Sequence, residues 1–375
     1  MWHKRLSIVA VIAVFVVLAG CAPKAVPAPA KPVTAPTSAA PVQRPEDAAW
    51  DKVVQEAKKE GKVVSYSFSM PGDVGNAVSK AFKDKYGITL ETIGGTSPVL
   101  IQRIRAEQLQ GQFAVDIGDL SSGRVVELKT TGFTASLKDL PVLRERAPWY
   151  TYPFDMDPDG HVLMYYPNVV GVFANTNLVK PADEPKSWLE LLDPKWKGKI
   201  ITGDPGINQV ASFIYQFLKK KNVYTDSQTK QLGGQFSKYT PGGQPDLSRA
   251  LAQGDSALAV GVDQASANSL IAQGAPVKAL DLKEGALGLP MGLVMLNKAP
   301  HPNASRVFVN WLFSAEGLKV WSEAAKQATY RKDVPDFTPA AAKMDLSKVY
   351  TMGFTDLDEV NNIYNGKVVV DLWKK

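Results

Sequence analysis

Four short loops of one chemistry recur along the chain: Ser67-Phe68-Ser69, Gly94-Gly95-Thr96-Ser97, Ser121-Ser122-Gly123 and Asp204-Pro205-Gly206-Ile207-Asn208. Each follows a strand-like run and leads into a helix-like one. A helix start offers N–H groups without intrahelical partners and the positive end of the dipole, and both favour an anionic group. Serine, threonine and glycine there suit hydrogen-bonded capture of a polar solute. Any one such loop is more often an ordinary N-cap or tight turn. Four of them at equivalent places point to a binding site.

Other residues carry two readings each. Tyr165-Tyr166 suits a ferric ion as phenolates or a ligand as stacking rings, although core packing is the commoner outcome. Arg331, after a helix, is a carboxylate or phosphate clamp, or else a surface salt-bridge partner. Asp116 and Asp119 are a carboxylate pair, or else turn and cap residues. His161 and His301 sit in polar, loop-like contexts and read as surface residues. Catalytic signatures are absent: the chain has no GxGxxG after a strand, no Walker loop, no HExxH and no GxSxG. Its one cysteine excludes an intramolecular disulfide and a Cys-cluster metal site, and its three histidines leave little for His-based catalysis. The expectation is a binding protein, not an enzyme, with no cofactor and no metal.

The elements that must hold these loops follow from periodicity. Trp50, Val53, Val54 and Ala57 share a helical face that Gly61 ends, so the globular body starts near Ala48. Lys62–Ser69 reads as a strand, Val74–Phe82 as a helix closed by Gly87, and Ile88–Ile93 as a strand. Ser97 and Pro98 open a third helix, serine as N-cap and proline at N1. Phe113–Ile117 reads as a strand. Further on, Val169–Ala174, Lys199–Thr202, Ala257–Val262 and Leu293–Leu296 read as strands. Helices start at Asp204-Pro205 and Asn303, and Trp188 and Trp196 read as core. Strands alternating with helices predict α/β architecture with parallel βαβ units.

At 375 residues, with 21% charged and 45% hydrophobic, the chain is an ordinary globular protein of two to three domains. A net charge of +6, with no run of Lys or Arg beyond Lys219-Lys220-Lys221, argues against nucleic acid. Residues 1–20 combine His3-Lys4-Arg5 with an apolar run from Ile8 to Gly20, as in a secretory signal peptide. The run ends in Leu18-Ala19-Gly20-Cys21, which resembles the bacterial lipobox, whose cysteine is lipidated and becomes the mature N-terminus. Residues 21–49 are proline- and alanine-rich and read as an extended tether.

Several stretches together resemble the solute-binding proteins of bacterial ABC importers: extracellular solute-binding family 1, the type II group that includes ferric-ion, thiamine, polyamine, phosphonate and sugar-phosphate binders. They include Ala57-Lys58-Lys59-Glu60-Gly61-Lys62-Val63-Val64, Phe82-Lys83-Asp84-Lys85-Tyr86-Gly87-Ile88 and, most specifically, Trp188-Leu189-Glu190-Leu191-Leu192-Asp193-Pro194-Lys195-Trp196-Lys197-Gly198-Lys199-Ile200. Pro300-His301-Pro302-Asn303-Ala304 with Phe308-Val309-Asn310-Trp311-Leu312 is nearly as specific. The resemblance implies a two-lobed type II periplasmic-binding-protein fold, with two mixed sheets flanked by helices and joined by a two-strand hinge near Asn168–Val172 and Leu287–Val294. Lobe one would be 50–168 plus 290–335 and lobe two 169–289 plus 336–375. Ligand contacts would be Ser67, Ser69, Gly95, Thr96, Ser97, Ser121, Ser122, Tyr166, Asn168, Gly206, Asn208, Asp263 and Arg331. The family's ferric binders place two adjacent tyrosines just after the strand that here is Ala257–Val262, where this chain has Asp263-Gln264. Their histidine and glutamate ligands correspond roughly to Ser69 and Ser121. The implied ligand is therefore a small polar, anionic organic solute, with ferric ion or a ferric chelate as the alternative. The implied partners are a membrane permease and, through the lipid, the extracytoplasmic face of a bacterial membrane. The expected state is a monomer.

Overall fold

The computed structural model describes residues 45–144, 148–149 and 157–374. The signal segment, Cys21 and the tether lie outside the described residues. The body begins with α1 (Pro45–Glu60), slightly ahead of the expected start, its first residue a proline. That is where a missing N–H costs least.

Three parallel strands follow with their helices: β1 (Lys62–Ser67), α2 (Gly72–Tyr86), β2 (Thr89–Gly94), α3 (Ser97–Leu109), β3 (Ile117–Ser121), α4 (Ser122–Thr130) and the short β4 (Thr134–Ala135). The long β5 (Leu163–Asn175) leads into β6 (Ile200–Gly203), α5 (Val210–Lys220), α6 (Asp226–Gly233), β7 (Phe236–Thr240), α7 (Gln244–Gln253), β8 (Leu258–Asp263), α8 (Gln264–Ala272) and β9 (Val277–Ala279). The return strand β10 (Leu287–Leu296) is followed by α9 (Pro302–Leu312), α10 (Ala315–Ala325), β11 (Tyr350–Thr351), α11 (Phe354–Asn365) and α12 (Val368–Lys374).

The sheet order is β2-β1-β3-β10-β5-β8-β6-β7. Hydrogen bonding therefore runs without a break through β10 and β5, which join the two expected sheets. Register fixes where the two sets of parallel strands end. Ser121, last in β3, lies opposite Met291 of β10, which lies opposite Tyr166 of β5. Asp263, last in β8, lies opposite Val170 of β5, which lies opposite Leu287 of β10. The two sets approach from opposite directions, so their carboxyl ends converge on residues 167–169 of β5 and 288–290 of β10. Asn168, opposite Leu289, is the midpoint. Beside it Pro167 faces Pro290, a rung in which neither residue has an N–H. Proline is disfavoured inside sheets, but β3 and β8 have both ended here.

The hydrophobic clusters divide at the same place. One joins residues 57–166 with 291–334, around Phe82, Phe308 and Trp311. Two others use 169–287 with residues 344 onward, around Trp188, Phe217 and Phe173. Trp188 and Trp196 are buried, as expected.

Four elements differ most from expectation. The strand expected at Phe113–Ile117 is Ile117–Ser121, because a buried aspartate is accommodated in it. The strands expected at Val169–Ala174 and Leu293–Leu296 extend back to Leu163 and Leu287. The helix expected from Asp204 starts at Val210, because residues 204–208 form a hydrogen-bonded turn of their own, Ile207 and Asn208 both donating to the Asp204 carbonyl.

Candidate functional site

Asp119, in the middle of β3, is fully buried. Its carboxylate accepts from the Ser67 hydroxyl, from the Ser69 N–H at 3.2 Å, from the Ser69 hydroxyl at 3.1 Å and from the Tyr165 hydroxyl at 3.0 Å. Tyr166 donates to Ser69 Oγ at 2.9 Å, and Trp321 Nε1 donates to the Ser69 carbonyl at 3.1 Å. Burial pushes the Asp119 carboxyl up to about 6 against the opposing pull of these donors.

Two consecutive tyrosines reach one network because β5 shifts register here: Met291 pairs with Tyr166, but Gly292 pairs with Met164. A bulge of this kind can turn neighbouring side chains to the same face of a strand. Their rings pack on each other and on Trp321, with centroids 4.9, 5.1 and 4.4 Å apart. Burial first, and the Asp119 charge second, push both phenols well above their ordinary range, so they act as neutral donors rather than phenolates.

Ser67, Ser69 and Tyr166, expected at the ligand, are thus bonded to a carboxylate and to one another. A buried charge requires such donors. Arg331 is also internal. It is buried, forks onto Asp333 at 2.8 and 3.1 Å, donates to the Phe313 carbonyl at 3.1 Å and stacks over Trp149. Asp116, also buried, accepts from the His301 N–H and lies 2.9 Å from His301 Nδ1, so it is engaged with His301 and not paired with Asp119.

The second and third loops stay closer to expectation. Thr96, not Ser97, is the N-cap of α3, and Ser97 Oγ accepts the Ser121 N–H at 3.0 Å, tying the two loops together. Gly95 and Thr96 are exposed. A Cβ on Gly95 would lie 3.0 Å from Leu100, so a side chain there would crowd the α3 start. Ser121 is the N-cap of α4, whose first turn is Ser122, Gly123 and Arg124, and no side chain caps it.

The fourth loop is occupied by its own residues. The Gly206 N–H donates to Asp204 at 2.8 Å, and Asn208 Oδ1 accepts the Val210 N–H at 2.9 Å. Lys374, from the last helix, pairs with Asp204 at 2.6 and 2.7 Å. Burial opposes it, but Lys374 and the Gly206 N–H together hold the Asp204 carboxyl below its ordinary range. A carboxylate already sits where an anion was expected, so Gly206 and Asn208 do not provide an anion site.

Helix starts differ in whether a side chain caps them. The N-caps of α2, α3, α4 and α7, each following a parallel strand, make no side-chain cap. By contrast α6 is capped by Thr225, α10 by Ser314, and α9 by Glu60, which accepts the Ala304 N–H at 2.7 Å. At the midpoint Asp263 caps α8 through the Ser266 N–H at 2.7 Å, and the Asn168 amide reaches the same carboxylate. Gln244 Oε1 accepts the Asp263 N–H at 3.1 Å. Gln244 escaped the sequence reading, although Gly242-Gly243-Gln244-Pro245 is a fifth glycine-rich strand-to-helix loop.

Among the described residues no group of three or more His, Cys, Asp or Glu is placed to hold a metal ion, and no helix is long and apolar enough to cross a membrane.

Residues 77–347 match the family described as bacterial extracellular solute-binding protein, and the chain belongs to that family. It is 25% identical over 342 residues to an uncharacterized protein of Haemophilus influenzae, covering 87% of this chain and 93% of that one. Among solved structures it is similar to iron-bound HitA from Pseudomonas aeruginosa, with TM-score 0.66 and 20% identity over 84% of this chain and 98% of that one. It is also similar to the periplasmic binding protein AfuA from Actinobacillus pleuropneumoniae with fructose-6-phosphate bound, with TM-score 0.62 and 21% identity over 81% and 97%. At these identities the likeness establishes the fold, that of the type II periplasmic binding proteins, and the family makes this a solute-binding protein of ABC importers.

The buried carboxylate has a measurable signature. Folded Asp119 titrates at about 6, against an unfolded value of about 3.9. The folded state holds the proton more tightly, so this group's contribution to stability falls as pH rises from about 4 to about 6 and is level above that. The fall is of order 3 kcal/mol. Urea titrations at pH 4 and pH 7 should show the stability of the wild type relative to Asp119→Asn falling by this amount as pH rises. Identical pH dependence in the two proteins would refute it.

Proposed function

We propose that this chain is a lipid-anchored substrate-binding protein of an ABC importer. It captures a small polar, anionic organic solute between two lobes and delivers it to a membrane permease on the extracytoplasmic side. It works as a monomer without a cofactor, tethered through Cys21. Lobe one is 50–168 plus 290–335 and lobe two 169–289 plus 336–375, in keeping with where the hydrophobic clusters divide.

The observation that carries this reading is the convergence of strand ends on Asn168 and Leu289, with uncapped helix starts around it. The anion belongs at α3 and α4 in lobe one. There the Ser97 N–H at the start of α3, the first N–H groups of α4 and the hydroxyls of Thr96 and Ser122 are available to it, with Arg124, ion-paired to Glu127 at 2.9 Å, in the same first turn of α4. Each helix end contributes about 0.3–1 kcal/mol when exposed and up to about 2 when partly buried. Each hydrogen bond to the charge adds about 1.5–3 kcal/mol. Lobe two, where Asp204 fills the corresponding loop, contacts the rest of the solute. Only a closed form makes both sets of contacts, so ligand favours closure.

One observation favours a second reading, ferric or ferric-chelate binding. Asp263 lies close enough to Tyr166 for its charge to help keep the phenol protonated, so a carboxylate and a phenol share the cleft floor. HitA and a Trichodesmium relative, the latter with iron and citrate, are iron-bound in their structures. Titration with ferric citrate decides between the readings. The organic-solute reading expects no phenolate-to-iron absorption band, and a band that disappears in Tyr166→Phe would replace it.

Two substitutions test the main reading. Cys21→Ser should release the body from membranes or leave it as unprocessed precursor, and unchanged fractionation and mass would remove the anchor. Gly123→Asp puts a carboxylate into the first turn of α4, where a new Cβ meets nothing within 4 Å. It should weaken anion binding more than tenfold, abolish the ligand-induced decrease in radius of gyration, and leave Tm unchanged or slightly higher. Unchanged affinity would place the anion elsewhere.

A further inference from the structure

We propose that Asn168 and Gln244, both oriented by Asp263, form a subsite for a hydroxyl group of the solute, so that the ligand is a hydroxylated anion rather than an amino or purely apolar one. This rests on the reading that the cleft binds an anionic solute.

Asp263 uses its two polar ends to fix two amides in opposite senses. Its carboxylate accepts, so the Asn168 amide must present Nδ2 to it. That leaves Asn168 Oδ1, which has no hydrogen-bond partner among the described residues, although Asn168 is only 4% exposed. The backbone N–H of Asp263 donates, so Gln244 must present Oε1 to it, at 3.1 Å. That leaves Gln244 Nε2, also without a partner among the described residues. One free acceptor and one free donor remain, each on an amide bonded to the same residue. Both stand at the carboxyl end of β8, beside the midpoint of the crossing strands.

A buried acceptor without a partner favours a ligand that donates to it. A hydroxyl does so and also accepts from Gln244 Nε2. An ammonium group only donates and leaves Nε2 unmatched, and an alkyl group matches neither. Burial pushes the Asp263 carboxyl up, against the opposing Ser266 and Asn168 hydrogen bonds.

The full-length protein, released from membranes in detergent, tests this by calorimetry with matched probes. Sorbitol 6-phosphate, hexyl phosphate and 6-aminohexyl phosphate share a six-carbon chain and an anion. Gluconate, hexanoate and 6-aminohexanoate repeat the series with a carboxylate, and inorganic phosphate reports the anion alone. The expected result is binding of a hydroxylated member at least tenfold tighter than its alkyl and amino counterparts. Asn168→Ala and the half-buried Gln244→Ala should each reduce that preference to within threefold while leaving inorganic phosphate affinity unchanged. Gln244→Ala keeps the test valid if the hinge-strand variant fails to fold. Equal affinity for hydroxylated and alkyl probes, tighter binding of the amino probe, or an unchanged preference in Gln244→Ala would overturn the subsite and leave the anion reading standing. Failure of every anion to bind would overturn the anion reading and the subsite with it.

Discussion

A single buried charge organises the first half of this protein. Asp119 has no cation beside it in its hydrogen-bond network, so its stability there depends on the donors that surround it. Those donors come from the end of β1, the loop after it and the crossing strand β5, and through Ser69 the network extends to Trp321 on α10. One carboxylate thereby fixes the spacing between the strand ends and the hinge. The rigidity of the first loop follows from this, as does the position of the second and third loops, which Ser97 holds together.

The site then depends on direction. β3 and β8 are both parallel with their own sets but stop on opposite sides of one short stretch of β5 and β10. The helices α2, α3 and α4 on one side and α7 and α8 on the other each follow a strand of these sets. The two halves differ in what they present there. The first offers hydroxyls, glycine and uncapped helix starts, whereas the second offers two amides oriented by Asp263, with Asp204 and Lys374 closing its remaining loop. That asymmetry suits a solute with one charged end and one neutral polar end.

Much of the fold was legible in the sequence. Alternating helix and strand periods, the glycine stops at Gly61 and Gly87 and the motif from Trp188 to Ile200 all report local or family-wide constraints. The site was legible only as loops. Serine in a strand-end loop looks the same whether it faces a ligand or a carboxylate, and Ser67 and Ser69 face Asp119 across a sequence separation that no local pattern records. Asp119 itself displaced the expected strand by four residues, because a period-2 reading treats a charged residue as a surface one. The same blindness applied to the tyrosine pair. Two large neighbours on one face violate strand alternation unless a bulge intervenes, and the bulge is a property of pairing with β10. Arg331 was misplaced because its fork is filled by Asp333, two residues away, which left no cation for a ligand. Gln244 was missed because its role comes from the backbone of Asp263 rather than from its own neighbours.

The proline rung has a mechanical consequence. Pro167 and Pro290 face each other where both flanking strands have stopped, so this stretch of sheet carries no ladder bond through either residue's nitrogen. Bending there breaks no bond to those two nitrogens. The two rings also lock φ near −65° on both strands, which leaves ψ and the neighbouring residues to absorb the motion. In the proposed closure the joint would act as a leaf spring rather than a swivel, bending in one direction and resisting torsion.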